Sequence, residues 1–280
     1  MAINWFPGHM VKTKREIKEN LKLVDAVIEI RDARIPNSSK NPDIDQLCKG
    51  KPRIILLNKC DLANEKITKE WKKSLENNEI VVLEVNALKN DGLKNIKPAL
   101  LKLLKEKHDR LKAKGLVKIT TRVMVVGIPN VGKSTFINKM ARNNIAKTGD
   151  RPGVTKSKQW IKTSIGIELL DTPGVLWPKF EDEQVGLNLA FTGAIKDEIM
   201  DIEELAFNLV KKLEVDFKDE LMTRYKLEHL SEETIENLDN IARKRGCLIS
   251  GGNIDYNRIA VILLDEFRGG KIGRISLERP

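Results

Sequence analysis

The sequence predicts an α/β domain, built on a mostly parallel sheet with helices on both faces, followed by a small α-helical C-terminal domain. Short apolar runs alternate with helical patterns up to about residue 180, and helical patterns dominate after it. The charge balance changes at the same place. Residues 1–180 hold 36 Lys and Arg against 19 Asp and Glu (+17), whereas residues 181–280 hold 14 against 21 (−7). We therefore place the two domains at 1–180 and 181–280.

Five short apolar runs predict the strands of the sheet, because each has the length of a buried strand and ends at polar or turn residues. Helical segments separate them, and a parallel pair of strands needs such a crossover connection. The predicted strands lie at 25–30, Arg53–Asn58, Ile80–Val85, 122–126 and 165–170.

The helices are predicted from apolar residues at helical spacing. Residues 92–107 show this spacing, and the Lys-rich stretch 105–118 is interpreted as the end of that helix and a linker. Glycine pairs at 251–252 and 269–270 bracket the last helix. In the C-terminal domain the helical patterns cover 203–213, 232–244 and 256–267.

The composition excludes several classes of protein. With 41% hydrophobic residues the chain is globular, and its formal charge of +10 favours a polyanionic partner. Cys48, Cys60 and Cys247 are scattered, so neither a zinc site nor a disulfide framework is predicted, and a reducing cytosol suits them. The sequence shows neither a signal peptide nor a long apolar run, so we expect a cytoplasmic protein that does not span a membrane.

One motif predicts a phosphate-binding loop. The segment Gly127-Ile128-Pro129-Asn130-Val131-Gly132-Lys133-Ser134 has the pattern G-x-x-x-x-G-K-[ST] and follows a predicted strand. Glycines let backbone N–H groups approach phosphate oxygens, Lys133 neutralises the β and γ phosphates, and the Ser134 hydroxyl is a ligand for Mg²⁺. The motif therefore predicts a nucleotide with Mg²⁺ as cofactor.

Two further segments point to guanine as the base. Asn58-Lys59-Cys60-Asp61 follows a predicted strand and resembles the N-K-x-D motif of GTPases. The Asp61 carboxylate can accept hydrogen bonds from both N1–H and the N2 amino group of guanine, and adenine offers no such pair of donors. Asn86-Ala87 resembles the Ser-Ala-Lys guanine loop, with Leu88 in place of its Lys. We expect a backbone contact from Ala87.

Asp171-Thr172-Pro173-Gly174 resembles D-x-x-G, in which the Asp holds Mg²⁺ through water and the Gly N–H meets the γ-phosphate. Thr155 is the candidate switch threonine that closes over Mg²⁺, and an ordinary loop threonine is the alternative. In most GTPases the phosphate loop comes first and the guanine motif last. Here the guanine segments come first, so the sequence predicts a circularly permuted P-loop GTPase domain.

This order of motifs resembles the bacterial ribosome biogenesis GTPase A family, of the YlqF/RbgA type. Trp5-Phe6-Pro7-Gly8-His9-Met10, Asp32-Ala33-Arg34-Ile35-Pro36 and the segment 246–268 resemble it too, so the likeness covers nearly the whole chain. The resemblance implies a cytoplasmic GTPase that binds a late precursor of the large (50S) ribosomal subunit and contacts ribosomal RNA. It also implies that the ribosomal particle stimulates hydrolysis, and it gives no reason to expect DNA as a partner.

The motifs and the resemblance together give a set of candidate residues. Val175 stands where Ras-like enzymes carry the Gln that orients water, so His9 is the candidate catalytic residue, with a packing or surface histidine as the alternative. Asn130 is a candidate K⁺ ligand or, alternatively, a loop-capping residue. The candidate Mg²⁺ ligands are Ser134, Thr155 and Asp171. The candidate GTP contacts are Asn58, Lys59, Cys60, Asp61, Asn86, Ala87, Asn130, Val131, Gly132, Lys133, Ser134, Thr135 and Gly174.

Basic clusters are candidates for RNA contact, and solvated helix faces are the alternative. Near the start they are Lys12, Lys14, Arg15, Lys18 and Lys22, and in the tail they are Arg243, Lys244, Arg245, Arg268, Lys271 and Arg274. Two other functions stay open: a GTPase in RNA modification or membrane traffic, and a GTP-dependent binding module that hardly hydrolyses.

Overall fold

The computed structural model describes residues 8–116, 119–141, 160–172 and 182–280, with the backbone alone for residues 8–14. The chain divides into two compact units. The first unit comprises residues 1–183 together with 276–280, and the second unit comprises residues 184–275.

The first unit contains a six-stranded sheet with the order β3-β2-β1-β4-β6-β5. All neighbouring strands are parallel except β5, which runs antiparallel to β6. The mostly parallel sheet predicted from the sequence is therefore confirmed. The strands are β1 (Ala26–Asp32), β2 (Arg53–Asn58), β3 (Ile80–Val85), β4 (Thr121–Gly127), β5 (Trp160–Lys162) and β6 (Ile167–Asp171).

The apolar runs form strands because both faces of the sheet are covered. All residues of β1 and β2 are buried, as expected for central strands of a parallel sheet. Strand β5 was not predicted, because it has only three residues and lies at the sheet edge, where a strand needs no long apolar run. The prediction for β6 began two residues early, because Gly166 has φ 83° and belongs to the turn between β5 and β6.

Six helices of the first unit are α1 (Gly8–Leu21), α2 (Ile44–Leu47), α3 (Glu65–Leu75), α4 (Ile96–Leu103), α5 (Lys105–Ala113) and α6 (Lys133–Met140). Helices α1 and α2 cover one cluster of sheet residues, which includes Val27 and Met124. Helix α3 covers another, which includes Ile55 and Val82. The alternate residue Ile54 is also fully buried, so the opposite face of the sheet is covered as well.

The helical pattern was predicted to end at residue 107 and to be followed by a linker, and this linker interpretation is wrong for residues 108–113, which belong to α5. Lys, Glu, Arg and Leu are strong helix formers. Helix α5 buries none of its residues, so it has no apolar stripe that a sequence pattern could detect.

The second unit is helical. Its α-helices are α7 (Glu183–Phe191), which begins at the last residue before the unit, α8 (Ile202–Asp216), α9 (Lys218–Tyr225), α10 (Thr234–Lys244) and α11 (Tyr256–Arg268). Helix α8 packs against α10 and α11, and Asp201 caps its first turn by accepting the Glu203 and Glu204 N–H groups at 3.0 Å. The three predicted helices are confirmed, whereas α7 and α9 were not predicted. Both are short, with nine and eight residues.

The last five residues belong to the first unit, although the sequence analysis assigned them to the helical domain. The Leu277 N–H donates to the Arg34 carbonyl at 2.9 Å. The Glu278 carboxylate accepts the Asn37 and Ser38 N–H groups at 2.7 and 3.0 Å. The Trp71 Nε1–H donates to the Glu278 carbonyl at 3.3 Å. Sequence periodicity does not predict that the chain end packs against the first unit, because these contacts involve mostly backbone groups.

Candidate nucleotide site

The predicted motifs lie at one edge of the sheet, where the parallel strands end. Register places Asn58, at the end of β2, beside both Asp32 of β1 and Val85 of β3. Gly127, at the end of β4, lies beside Ile30 of β1. Ligands of open α/β sheets bind outside the carboxyl ends of the strands, so this edge is the expected position for a site.

The phosphate-loop motif connects β4 directly to α6. Gly132 precedes the first residue of α6 and has φ 96°, which favours glycine. A Cβ at Gly132 would lie 2.3 Å from Asn58 Nδ2, so the close approach of these two segments also requires glycine. Ser134 and Thr135 follow in the first turn of α6 and are half-buried. The helix N-terminus thus faces the loop, as in a phosphate site.

Asn58 joins three of the predicted segments. Its side chain is buried, and Nδ2 donates to the Val131 carbonyl of the phosphate loop at 2.7 Å. Its Oδ1 accepts the Ala87 N–H of the predicted guanine loop at 3.0 Å. The first residue of the guanine motif therefore holds the phosphate loop and the second guanine loop in one arrangement.

The other residues of the guanine motif occupy distinct positions. Lys59, with φ 59°, donates from Nζ to the Asn130 carbonyl at 2.8 Å. The Cys60 N–H donates to the Val85 carbonyl at 3.3 Å, and its side chain is half-buried. The Asp61 carboxylate is partly exposed, as binding of a base requires.

The second guanine loop is closed by its own Asn. The N–H groups of Asn86 and Asp91 donate to each other's carbonyl oxygens, and Asn86 Oδ1 accepts the Lys89 N–H at 2.9 Å. Lys89 Nζ pairs with Asp61 Oδ2 at 3.1 Å. Lys89 thus supplies the cation near Asp61. It stands one position after Leu88, the residue that occupies the place of Lys in the Ser-Ala-Lys loop. Leu88 itself is exposed.

The described part of the candidate Mg²⁺ site comprises the Asp171 carboxylate and the Ser134 hydroxyl, next to Lys133. Lys133 Nζ lies 2.5 Å from Asp171 Oδ1, and both side chains are about nine-tenths buried. Next to Asp171, the Thr172 hydroxyl donates to the Val125 carbonyl at 2.7 Å and anchors the chain after β6. Within the described part of the chain, no three or more His, Cys, Asp and Glu side chains form a metal-binding group. One carboxylate and one hydroxyl suit Mg²⁺, which takes its other ligands from water and phosphate.

Some candidate residues lie outside the described parts of the chain. They are Thr155, Gly174 and Val175, and also the side chain of His9, whose backbone lies in α1. Asn130 is described, and it is exposed with φ 59°. No helix within the described ranges is both long and apolar enough to cross a membrane.

The comparisons with known proteins agree with this geometry. Residues 122–243 match the family model described as 50S ribosome-binding GTPase. The chain is 52% identical to Ribosome biogenesis GTPase A of Bacillus licheniformis, covering 100% of this chain and 99% of that protein. It is 32% identical to the GDP-bound structure of YlqF, with a TM-score of 0.65 and coverage of 95% and 99%. It belongs to the ribosome biogenesis GTPase A family.

Membership of the ribosome biogenesis GTPase A family confirms the resemblance predicted from the order of motifs, and it makes the chain an enzyme that hydrolyses GTP. GNP-bound YlqF from Thermotoga maritima has the same TM-score of 0.65 and covers 96% of this chain. The strand order shows how a permuted chain brings these motifs to one edge of the sheet. Strand β4, which leads into the phosphate loop, lies between β1 and β6, although the guanine segments precede it in sequence.

Proposed function

We propose that this GTPase binds guanine through Asp61 and the Ala87 backbone, and the phosphates through Lys133 and the N–H groups of residues 130–135. The hydrogen bonds of Asn58 carry the proposal, because they hold the phosphate loop and the second guanine loop together. Gly174 would contact the γ-phosphate, and Lys59 and Cys60 would flank the base.

Binding of the nucleotide would exchange the partners of one ion pair. Lys133 and Asp171 now pair with each other. With Mg-GTP, Lys133 would turn to the phosphate oxygens, and Asp171 would face Mg²⁺ through water. Ser134 would supply its hydroxyl to the ion, and Thr155 would complete the set. Each charge keeps an opposite charge as its neighbour, so the exchange avoids an unpaired buried ion.

Hydrolysis needs a group that orients water, and we assign this role to His9. We expect His9→Ala to abolish most of the particle-stimulated turnover and to leave GDP affinity unchanged. His229→Ala is the matched control, because His229 is an exposed histidine of the second unit. Full stimulated turnover in His9→Ala would remove His9 from the mechanism.

A K⁺ ion at Asn130 would stabilise the charge that develops on the phosphates. We expect faster hydrolysis in KCl than in NaCl at equal ionic strength. Asn130→Gly keeps the positive φ and removes the side chain, so it should reduce the rate in KCl to the rate in NaCl. Equal wild-type rates in the two salts would contradict the assignment.

The partner that we propose is a late precursor of the large ribosomal subunit in the cytoplasm, contacted through ribosomal RNA. The relatives named Ribosome biogenesis GTPase A and the basic balance of residues 1–180 support it. In the second unit, Arg268 is less suitable for RNA than its sequence suggests, because it pairs with Asp197 at 2.7 Å and donates to the Phe191 carbonyl at 3.1 Å. Arg245 likewise pairs with Glu266. Arg243, Lys244, Lys271 and Arg274 are exposed.

GTP turnover by the purified protein, measured with and without large ribosomal subunits, tests this function. We expect slow turnover alone and strong acceleration by the subunits, weakening as salt rises. Small subunits at equal concentration are the control for nonspecific RNA binding. Tight GTP binding without acceleration would instead support the GTP-dependent binding module.

A further inference from the structure

Asp32 ends the central strand of the sheet, between the two halves of the proposed site. Register places it beside Asn58 of the guanine motif, and Ile30, two residues earlier, pairs with Gly127 of the phosphate loop. Asp32 is buried, and it opens the segment Asp32-Ala33-Arg34-Ile35-Pro36. The nucleotide contacts proposed above do not include it.

Two cations share the Asp32 carboxylate. Arg34 donates from Nε to Oδ1 at 3.0 Å and from its terminal nitrogen to Oδ2 at 2.8 Å. Lys59 Nζ lies 3.0 Å from Oδ2. Burial alone would raise the pKa of Asp32, but the charges of Arg34 and Lys59 outweigh burial and hold the pKa well below its ordinary value. Asp32 is therefore ionised whenever the protein is folded at working pH.

The Lys59 ammonium makes a second contact, to the Asn130 carbonyl of the phosphate loop at 2.8 Å. Lys59 and Asn130 both have φ 59°, a left-handed backbone conformation that is uncommon for Lys and more frequent for Asn. A hydrogen bond to a single carbonyl oxygen offsets only part of the conformational entropy that a flexible lysine side chain loses when it is ordered. A fixed carboxylate on the other side of the ammonium removes much of its rotational freedom before the nucleotide arrives.

We propose that Asp32 is a positioning residue for nucleotide binding, which acts by holding the Lys59 ammonium against the phosphate-loop carbonyl of Asn130. This inference rests on the proposed nucleotide contacts. Arg34 donates hydrogen bonds to both oxygens of the Asp32 carboxylate and fixes its orientation. Lys59 links this carboxylate to the phosphate loop. Asp32 itself touches neither base nor phosphate in this assignment.

A double-mutant cycle on GDP affinity tests the proposal. The variants are Asp32→Asn, Lys59→Met and the double variant, with affinity measured from a fluorescent GDP analogue and corrected for the folded fraction from urea unfolding. We expect each single variant to bind GDP about tenfold or more weakly, since hydrogen bonds to charged groups are lost. The double variant should bind no more weakly than Lys59→Met, because Asp32 acts through Lys59.

The matched control is Glu29→Gln. Glu29 is also buried on β1 and pairs with Arg31 at 2.7 Å, so its loss should lower stability without weakening GDP binding by the folded protein. If Asp32→Asn does not fold, Asp32→Asn combined with Arg34→Gln removes both buried charges and still deprives Lys59 of its anionic partner.

The outcomes separate two failures. Wild-type GDP affinity in Lys59→Met would overturn the positioning role, because the Lys59 ammonium would then not support binding, whereas failure of the wild type to bind GDP would contradict the proposed nucleotide contacts. Weak binding in Lys59→Met with wild-type affinity in the Asp32 variants would overturn the positioning role alone. Losses that multiply in the double variant would also overturn it, because they would show that Asp32 acts independently of Lys59.

Discussion

Replacing Asn58 by Ala should separate the three segments that its side chain joins. The change removes the acceptor of the Ala87 N–H and the donor to the Val131 carbonyl, both at buried positions. Leaving a buried polar group without a partner costs about 1–3 kcal/mol, so two such groups predict a loss of about 2–6 kcal/mol in the free energy of unfolding. Water that enters beside Gly132 would reduce the cost toward the lower value.

The same change should weaken GDP binding by the protein that remains folded, because the phosphate loop and the second guanine loop lose their common anchor. Urea unfolding measures the stability, and titration with a fluorescent GDP analogue measures the affinity. Asn237→Ala is the matched control. Asn237 is a buried Asn of the second unit that accepts the Ser231 N–H at 2.8 Å and donates to Glu214 at 2.8 Å. The control should lose stability and keep its affinity, and unchanged affinity in Asn58→Ala would refute the reasoning.

Other predictions concern buried charges and the chain end. Glu266→Gln should lower the free energy of unfolding by about 3 kcal/mol, because Arg224 and Arg245 both lose the carboxylate that pairs with them. Burial opposes its ionisation, but hydrogen bonds from these arginines outweigh burial and lower its pKa. Its stabilisation is therefore complete above the unfolded pKa of about 4.3 and is lost as pH falls through the folded value, so acid titration of unfolding should show a smaller pH dependence in Glu266→Gln. Glu278→Ala should cost about 1–2 kcal/mol in urea unfolding, because two backbone N–H groups lose their acceptor. Cys48, whose thiol pKa is raised by burial to about 12, should resist alkylation at pH 8 in the folded protein and react after unfolding.

The sequence predicts much of this fold because the physics involved is local. Buried parallel strands need continuous apolar runs, and the motif at 127–134 requires a strand before it and a helix after it. Strand β5 was missed because a short edge strand needs no such run. Most of helix α5 was interpreted as a linker because it buries none of its residues.

The arrangement of the site was predicted less completely. Motifs identify Asn58, Lys133 and Asp171, but they do not show which groups these residues contact. The cation beside Asp61 comes from Lys89, and only the shape of the loop closed by Asn86 brings it there. The engagement of Arg268 with Asp197 and the return of Glu278 to the first unit also depend on tertiary packing, which sequence spacing does not encode.

The most direct test of the nucleotide site is the base preference of Asp61→Asn. Xanthine carries a carbonyl where guanine carries the N2 amino group, so an Asn side chain can donate to that carbonyl and still accept N1–H. We predict that Asp61→Asn loses affinity for GTP and gains affinity for XTP, with the same unfolding midpoint, because its exposed ion pair with Lys89 contributes little. GTP affinity equal to that of the wild type, with no gain for XTP, would contradict the assignment of this edge of the sheet as the guanine site.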